Sequence, residues 1–398
     1  MKKMKICMVS LRSLPLYDES YDHEHVIGGA EINLYNLAWC LSEIANVEVK
    51  VLVDDFGQPS VYKKGNIELI KYGNRSGKRD LYSRIAAKIA CNFKLLSIDA
   101  DAFIFTTGNP LLGKLVLFQQ VLRGKKVIFR LSSDLNIDLE HFQKSNSRLS
   151  YMLYKFGICH ASNIISQTQK QKNDLESGLG LKSEMIENGF FTNRNIDVIE
   201  KKHILWVGRC MKSKQPMLFV ELARRMPEEE FVMIMPINKE IPAGEYKERE
   251  ELAHAVLGSA QRLNNIQVID YVAYQDIQAY FDRAKAYVCT SDTEGFPNTF
   301  IQAALGGTPI LSYNMNPDGM IEKYHLGYVC KEGPEKAVEF LREIDNKILL
   351  EYKYHMFNYV IQKHNIYHAA RKYLNIIDVN SEFDFYEKDS FGISNEEG

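Results

Sequence analysis

Three short segments bring a carboxylate, cations and glycines to places where a strand should give way to a helix. In Cys289-Thr-Ser-Asp-Thr-Glu294-Gly-Phe-Pro-Asn-Thr-Phe-Ile-Gln302 a polar loop follows an apolar run, and an apolar helix should begin near Asn298 or Thr299, with Pro297 at or just before its first turn. Such a loop carries Glu294 and unpaired backbone N–H groups to one edge of a sheet. The N–H groups suit a phosphate. Glu294 would repel a phosphate and is better suited to accept hydrogen bonds from sugar hydroxyls. In His203-Ile-Leu-Trp-Val-Gly208-Arg209-Cys-Met-Lys-Ser-Lys214-Gln-Pro216 a buried strand runs into Gly208, and two cations five residues apart could neutralise a diphosphate without a metal. In Val26-Ile-Gly28-Gly29-Ala30-Glu31 a pair of glycines opens a helix after a polar loop at 12–25. This is not G-x-G-x-x-G directly after the first strand, so a nicotinamide or flavin enzyme is poorly supported. Read singly, each segment could be ordinary: a capped helix with a solvated Glu294, surface cations, a tight turn.

The elements that must position these segments alternate between short β-branched runs and longer helical patterns, as in parallel α/β proteins. In the first half, strands are predicted at 5–11, 47–53, 102–107, 126–131 and 163–166, with helices at 31–44 and 111–122 among them. The alternation restarts after Asn188-Gly189. A polar stretch at 191–202 reads as a connection, followed by strands at 203–207, 230–235, 266–270, 286–289, 309–312 and 327–330 and by helices at 217–225 and 250–263. Residues 335–373 read as helical without an intervening strand. Two doubly wound domains in series account for this order, and ligands in such sheets bind beyond the carboxyl ends of the strands.

Taken together, the three segments resemble the retaining GT-B glycosyltransferases, specifically family 4, the glycosyl transferases group 1. The resemblance covers most of the chain. It is carried by G-G-x-E from Gly28, V-G-R-(four residues)-K from Val207, and E-G-F-(five residues)-Glu/Gln from Glu294, with G-T-P from Gly307 and E-N-G-F from Glu187. It implies two Rossmann-like domains facing across a cleft: residues 1–190 on the acceptor side and 191–360 binding the nucleotide-sugar. A helix at 361–378 would return to the first domain, followed by a mobile acidic tail at 379–398.

The resemblance also implies roles. Gly28 and Gly29 would let the backbone approach the donor. Arg209 and Lys214 would bind the diphosphate and stabilise the departing nucleotide. Glu294 would hold hydroxyls of the transferred sugar, which Gly295, Phe296 and Pro297 would line. Asn298 and Thr299 would sit over the phosphates, and the loop at 271–273, with Val272 at its centre, would contact the base. Two departures stand out. Gln302 replaces the glutamate that accepts the ribose hydroxyls, costing about 1–3 kcal/mol of donor affinity by losing a charged acceptor. Where many relatives carry a histidine late in the first domain, this chain has Phe129-Arg130-Leu-Ser-Ser133-Asp134; Asp134 or Arg130 could take over, or Asp134 could simply cap the next segment. The implied activity is metal- and cofactor-independent transfer of a hexose from a UDP- or GDP-sugar, with retention, to a glycan, lipid-linked or other hydroxyl acceptor in polysaccharide or glycoconjugate synthesis. The rivals are a non-catalytic GT-B partner subunit, which only Gln302 favours, and a sugar-nucleotide epimerase, which nothing favours.

Composition sets the bounds. The chain has 398 residues, 45% hydrophobic and 25% charged, as expected of two folded domains, and its net charge of -2 does not suggest a nucleic-acid partner. The charge is uneven, about +6 over residues 1–185 and about -8 thereafter. Seven scattered cysteines without a C-x-x-C pair read as buried thiols of a cytoplasmic protein. The basic N-terminus breaks at Arg12 and reads as a first strand, not a signal peptide. His364 and His368, four apart on an expected helix, suggest a structural role more than a metal pair. Finally, Leu81, Ile85, Ile89 and Phe93 fall at helical spacing among basic residues. A core-facing helix is the first expectation there; a helix resting peripherally on the inner face of a membrane is the second.

Overall fold

In the computed structural model of the chain, the described residues are 3–21, 27–73, 81–193, 200–236, 243–331 and 333–378. The acidic tail, His23, His25, the middle of the 191–202 connection and part of the 12–25 loop lie outside them.

Two sheets form, and the strand order in each follows from short right-handed crossovers. The first comprises β1 (Met4–Val9), β2 (Val47–Val53), β3 (Val61–Lys64), β4 (Ile67–Lys71), β5 (Ala102–Thr106), β6 (Lys126–Arg130), β7 (Asn163–Ser166) and β8 (Glu184–Met185), in the order β3-β4-β2-β1-β5-β6-β7-β8. All neighbours are parallel except β3 and β4. That hairpin, with its partly polar first strand, escaped the sequence reading. The second sheet comprises β9 (His203–Val207), β10 (Glu230–Ile234), β11 (Ile266–Ile269), β12 (Ala284–Cys289), β13 (Ile310–Ser312) and β14 (Gly327–Val329), in the order β11-β10-β9-β12-β13-β14, parallel throughout. In each sheet the chain first builds outward from its first strand and then returns to that strand's other side. The switch points are therefore β1/β5 and β9/β12.

Apolar side chains cover both faces of each sheet, which is why the strands read as near-continuous hydrophobic runs. On one face of the first sheet, helix Gly29–Ser42 packs with Ile366–Ile377, so that Leu34 and Leu41 share a core with Ala370, Tyr373 and Leu374. The stretch predicted as one helical region at 335–373 is three helices, Pro334–Glu343, Asn346–His364 and Ile366–Ile377. The chain leaves the second domain within Asn346–His364, whose Met356, Tyr359 and Val360 lie in that domain's core. It changes direction at Asn365, which caps the next helix by accepting from the Tyr367 N–H at 2.9 Å. The expected boundary at 360 falls inside Asn346–His364.

The other face of the first sheet carries helices Leu81–Ser97, Leu111–Leu115 continuing as the π-helical turn Val116–Val121, and Arg148–His160. The core-facing orientation expected of Ile89 and Phe93 is overturned: they are 50% and 69% exposed. Leu95 and Ile98, both buried, anchor this segment instead, and the Lys114 Nζ donates to Asn92 Oδ1 at 3.2 Å along the same side.

Helices Leu111–Leu115 and Arg148–His160 touch backbone to backbone where two glycines meet. A Cβ on Gly157 would stand 2.6 Å from the Gly113 nitrogen and 2.9 Å from the Leu112 carbonyl carbon. Because backbone cannot yield as a side chain can, Gly157→Ala is expected to destabilise the chain by about 1–3 kcal/mol. Urea unfolding would check this; an unchanged midpoint would show that the crossing is looser than described.

Candidate donor site

The β9/β12 switch point assembles the site. β9 ends at Val207 and passes into Gly208-Arg209. A 3-10 turn, Lys212–Lys214, then leads through Gln215, held at φ 45°, into helix Pro216–Arg225. This turn is fastened to the end of β12. The Trp206 Nε1–H donates to Thr290 Oγ1 at 2.8 Å, Thr290 Oγ1 donates to the Lys214 carbonyl at 2.5 Å, and the Asp292 N–H donates to the Ser213 carbonyl at 2.9 Å. Gln215 also donates to the Asp292 carboxylate. Lys214 is thereby set opposite the loop that follows β12, and its Nζ meets Glu294 Oε1 at 2.7 Å in a charge-assisted bond between two largely buried side chains. Arg209 stands at the cleft mouth and keeps solvent contact. Burial of part of its surface lowers its pKa, opposed by Glu31 and Glu294, while Arg249 and Arg12 add to the lowering. A guanidinium so placed stays protonated.

A cavity of about 220 Å³ lies between the domains, and nine of the thirteen predicted site residues line it: Gly28, Gly29, Arg209, Lys214, Val272, Glu294, Asn298, Thr299 and Gln302. Tyr271, Tyr274, Ile32, Ile277 and Pro236 are among its other lining residues; sequence spacing alone had no signal for the apolar ones. Helix Asn298–Leu305 aims its N-terminus here behind Pro297, so its first N–H groups are available to an anion. Its Gln302 is buried yet borders the cavity.

Four predicted residues stand elsewhere. Pro297 forms the cap position of the helix. The Phe296 ring packs against His364, centroids 5.0 Å apart. Gly295 is where the loop touches the first domain, since a Cβ there would lie 2.8 Å from the Ser132 carbonyl oxygen and 2.9 Å from Gln171 Nε2. Asp134 does not line the cavity. Lys170 Nζ and Gln171 Nε2 each hold its carboxylate at 3.0 Å, just behind that contact. Arg130, the alternative to Asp134, is buried at the domain junction and not at the cavity. Burial lowers its pKa, and its guanidinium donates to Asn188 Oδ1.

That contact begins a chain across the junction. Asn188 Nδ2 donates to Asn298 Oδ1 at 2.7 Å, and Asn298 Nδ2 donates to the Gly29 carbonyl at 3.0 Å. The Asn298 amide, expected over phosphates, thus ties the two domains together, leaving the backbone at the helix start to face a ligand. A Cβ on Gly29 would come within 3.1 Å of that amide, which would have to give by a few tenths of an ångström to admit it. His364 adds to the junction. Its ring bonds the Asn188 carbonyl oxygen and the Tyr359 hydroxyl, both at 2.9 Å, and it is fully buried. His364 ends one helix and His368 lies exposed on the next, so they do not form a pair. No cluster able to hold a metal occurs among the described residues.

The β1/β5 switch point faces the same cleft with a second hollow, about 280 Å³, lined by Arg12, Glu31, Thr107 and Asn109 among others. Thr107 sits there at φ 80°, a costly conformation for a β-branched residue and one found chiefly at functional sites.

Comparison with known proteins places this geometry. Residues 191–364 match the family model described as glycosyl transferases group 1. This domain belongs to that family. Over 132 residues the chain is 24% identical to the 2-deoxystreptamine N-acetyl-D-glucosaminyltransferase of Niallia circulans, taking in 33% of this chain. The chain covers 32% and 62% of the lengths of the first two curated relatives it matches. Among solved structures it is similar to sucrose-phosphate synthase from Thermosynechococcus elongatus (TM-score 0.72, 14% identity, 94% of this chain and 98% of that one). It is also similar to Anabaena HepE, solved with UDP and glucose (TM-score 0.66, 14% identity, 94% and 98%). At such identities the likeness is one of fold, and the fold is GT-B. The group 1 domain contributes Arg209, Lys214, Glu294 and Gln302 to the cavity; the first domain contributes Gly28, Gly29 and Ile32.

His364 generates a pH expectation. Burial lowers its pKa to about 4, so the folded chain keeps it neutral while an unfolded chain binds a proton below its ordinary value near 6.5. Stability should therefore fall as pH drops from 6.5 towards 4, by up to about 3 kcal/mol from this group. Urea unfolding across that range should show a shallower slope for His364→Gln than for the native chain; equal slopes would remove His364 as the cause.

Proposed function

We propose that the chain transfers a hexose from a nucleoside-diphosphate sugar to an acceptor hydroxyl, with retention and without a metal. The observation that supports this most directly is the convergence of Arg209, Lys214 and Glu294 on one cavity at a helix N-terminus. Two cations and free N–H groups are suited to a diphosphate. A carboxylate within 2.7 Å of one of those cations is suited to the hydroxyls of a sugar attached to it. In this reading the base lies by Tyr271 and Val272, the ribose by Gln302, the diphosphate by Arg209, Lys214 and the start of helix Asn298–Leu305, and the sugar by Glu294. The acceptor enters from the β1/β5 side, by Arg12, Glu31 and Thr107, and Asp134 keeps the wall opposite Gly295 in place.

The anomeric carbon–oxygen bond to the phosphate breaks as the acceptor oxygen bonds the same face, and the acceptor proton passes to the leaving phosphate oxygen. Arg209 and Lys214 offset the charge that builds on that phosphate, a term that often outweighs any other single contribution. Arg209→Ala and Lys214→Ala are each expected to lower kcat by at least about 10²-fold while leaving the unfolding midpoint close to native. Near-normal turnover in both would sink the reading. A thermal-shift panel of UDP- and GDP-sugars should single out one donor by a raised Tm, because stabilisation follows affinity for the folded state; a flat panel would favour a non-catalytic partner subunit instead.

A further inference from the structure

The exposed large apolar side chains of the described residues are unevenly placed. Six of fourteen lie on the three-helix face of the first domain: Ile89 and Phe93, Val121 and Leu122, and Leu149 and Met152, each at least half exposed. The helices stand side by side as one layer. Arg123 Nη1 donates to the Leu96 and Ile98 carbonyls at 2.7 Å, Gln120 Nε2 donates to the His160 carbonyl at 2.6 Å, and Gly113 meets Gly157.

The charge within these helices is one-sided, and acids, Asp99, Asp101 and Glu140 among them, lie on the segments that flank them. The segments 81–97, 102–133 and 148–173 contain no aspartate or glutamate. They do contain Lys94, Lys114, Arg123, Arg148 and Lys155, and they account for much of the positive balance of the first 185 residues. A purely solvated face would mix both signs and expose few large apolar groups. No helix of the described residues is long and apolar enough to cross a membrane.

We propose that this three-helix face docks the chain on an anionic membrane surface, the apolar side chains entering the interfacial layer and the cations meeting lipid headgroups. Apolar residues of this size interleaved with Lys and Arg are the pattern of interfacial binding. A second copy of the chain is the weaker occupant, because a symmetric contact would set one cationic face against another. The amino-terminal ends of Leu111–Leu115 and Arg148–His160 follow the carboxyl edge of the sheet, the edge that borders the cleft, so docking would leave the cleft mouth close to the bilayer. The proposal does not depend on the donor reading.

Flotation of the full chain with vesicles tests it. Binding is expected to vesicles of phosphatidylcholine containing about one-third phosphatidylglycerol and to be at least tenfold weaker to phosphatidylcholine alone. Lys155→Ala should weaken anionic-vesicle binding about fivefold, the equivalent of one surface cation. Phe93→Glu combined with Val121→Glu should abolish it, with unchanged circular dichroism and an unchanged unfolding midpoint. Binding to neither vesicle, or equal binding to both, overturns the proposal. So does a concentration-dependent dimer in sedimentation that Phe93→Glu dissociates without any vesicle binding, since the face would then belong to a second copy.

Discussion

The cleft depends on a short run of buried amides. Arg130, Asn188, Asn298 and the Gly29 carbonyl form one line of hydrogen bonds from the last core residue of β6 to the first turn of helix Gly29–Ser42, crossing the domain junction between them. The three side chains in it are buried, so each would cost about 1–3 kcal/mol if left unpaired. The domains are therefore held together at the point where the chain passes between them. Tyr274 reinforces this from the second domain: its ring meets Tyr35 edge-on at 5.8 Å, and its hydroxyl donates to Asn36 Oδ1 at 3.3 Å. Further along, the Asp318 carboxylate accepts from the Gln169 and Lys170 N–H groups at 2.7 and 3.2 Å and so caps helix Gln169–Leu179 from across the cleft.

A junction so built explains the division of labour around the cavity. Residues that seemed free to meet a ligand are spent on structure: the Asn298 amide, Arg130, the Phe296 ring and the Asp134 carboxylate. Still bordering the cavity are the backbone at the start of helix Asn298–Leu305, Arg209, Lys214 and Glu294, with Gln302, Tyr271 and Val272 further along its wall. Lys214 is steadied in turn by Trp206, Thr290 and Asp292, residues with no part in the cavity wall that hold one loop against another. The two switch points carry separate hollows, each beyond the carboxyl ends of its own sheet, where ligands of α/β chains bind.

The two helical layers of the first domain differ. Its helix Gly29–Ser42 shares a closed core with the returning helix Ile366–Ile377, while its opposite helical layer leaves large side chains uncovered among cations.

Much was legible in the sequence. Strand runs such as His203–Val207 and Asn163–Ser166 announce themselves because a parallel strand is buried on both faces. Glycine, proline and charge at strand ends marked Gly208, Arg209, Glu294 and Pro297, because only certain residues suit a tight turn at a sheet edge. The weak points were those where distance along the chain says nothing of distance in space. The hairpin β3–β4 has an exposed strand with little apolar signal. Ile89 and Phe93 carry a core-like period, but the helix rests on Leu95, and a period fixes which residues share a face, not which way that face turns. The break at Asn365, the burial of His364 and the amide line through Asn188 depend on contacts between residues 58 to 269 apart in sequence. By itself the sequence determined the two α/β units and the residue types at their sheet edges, since local backbone preference and burial on two faces suffice for that. Only the tertiary structure decided which of those residues meet in one cavity and which hold the domains together, because the packing of two separate cores sets the distances between them.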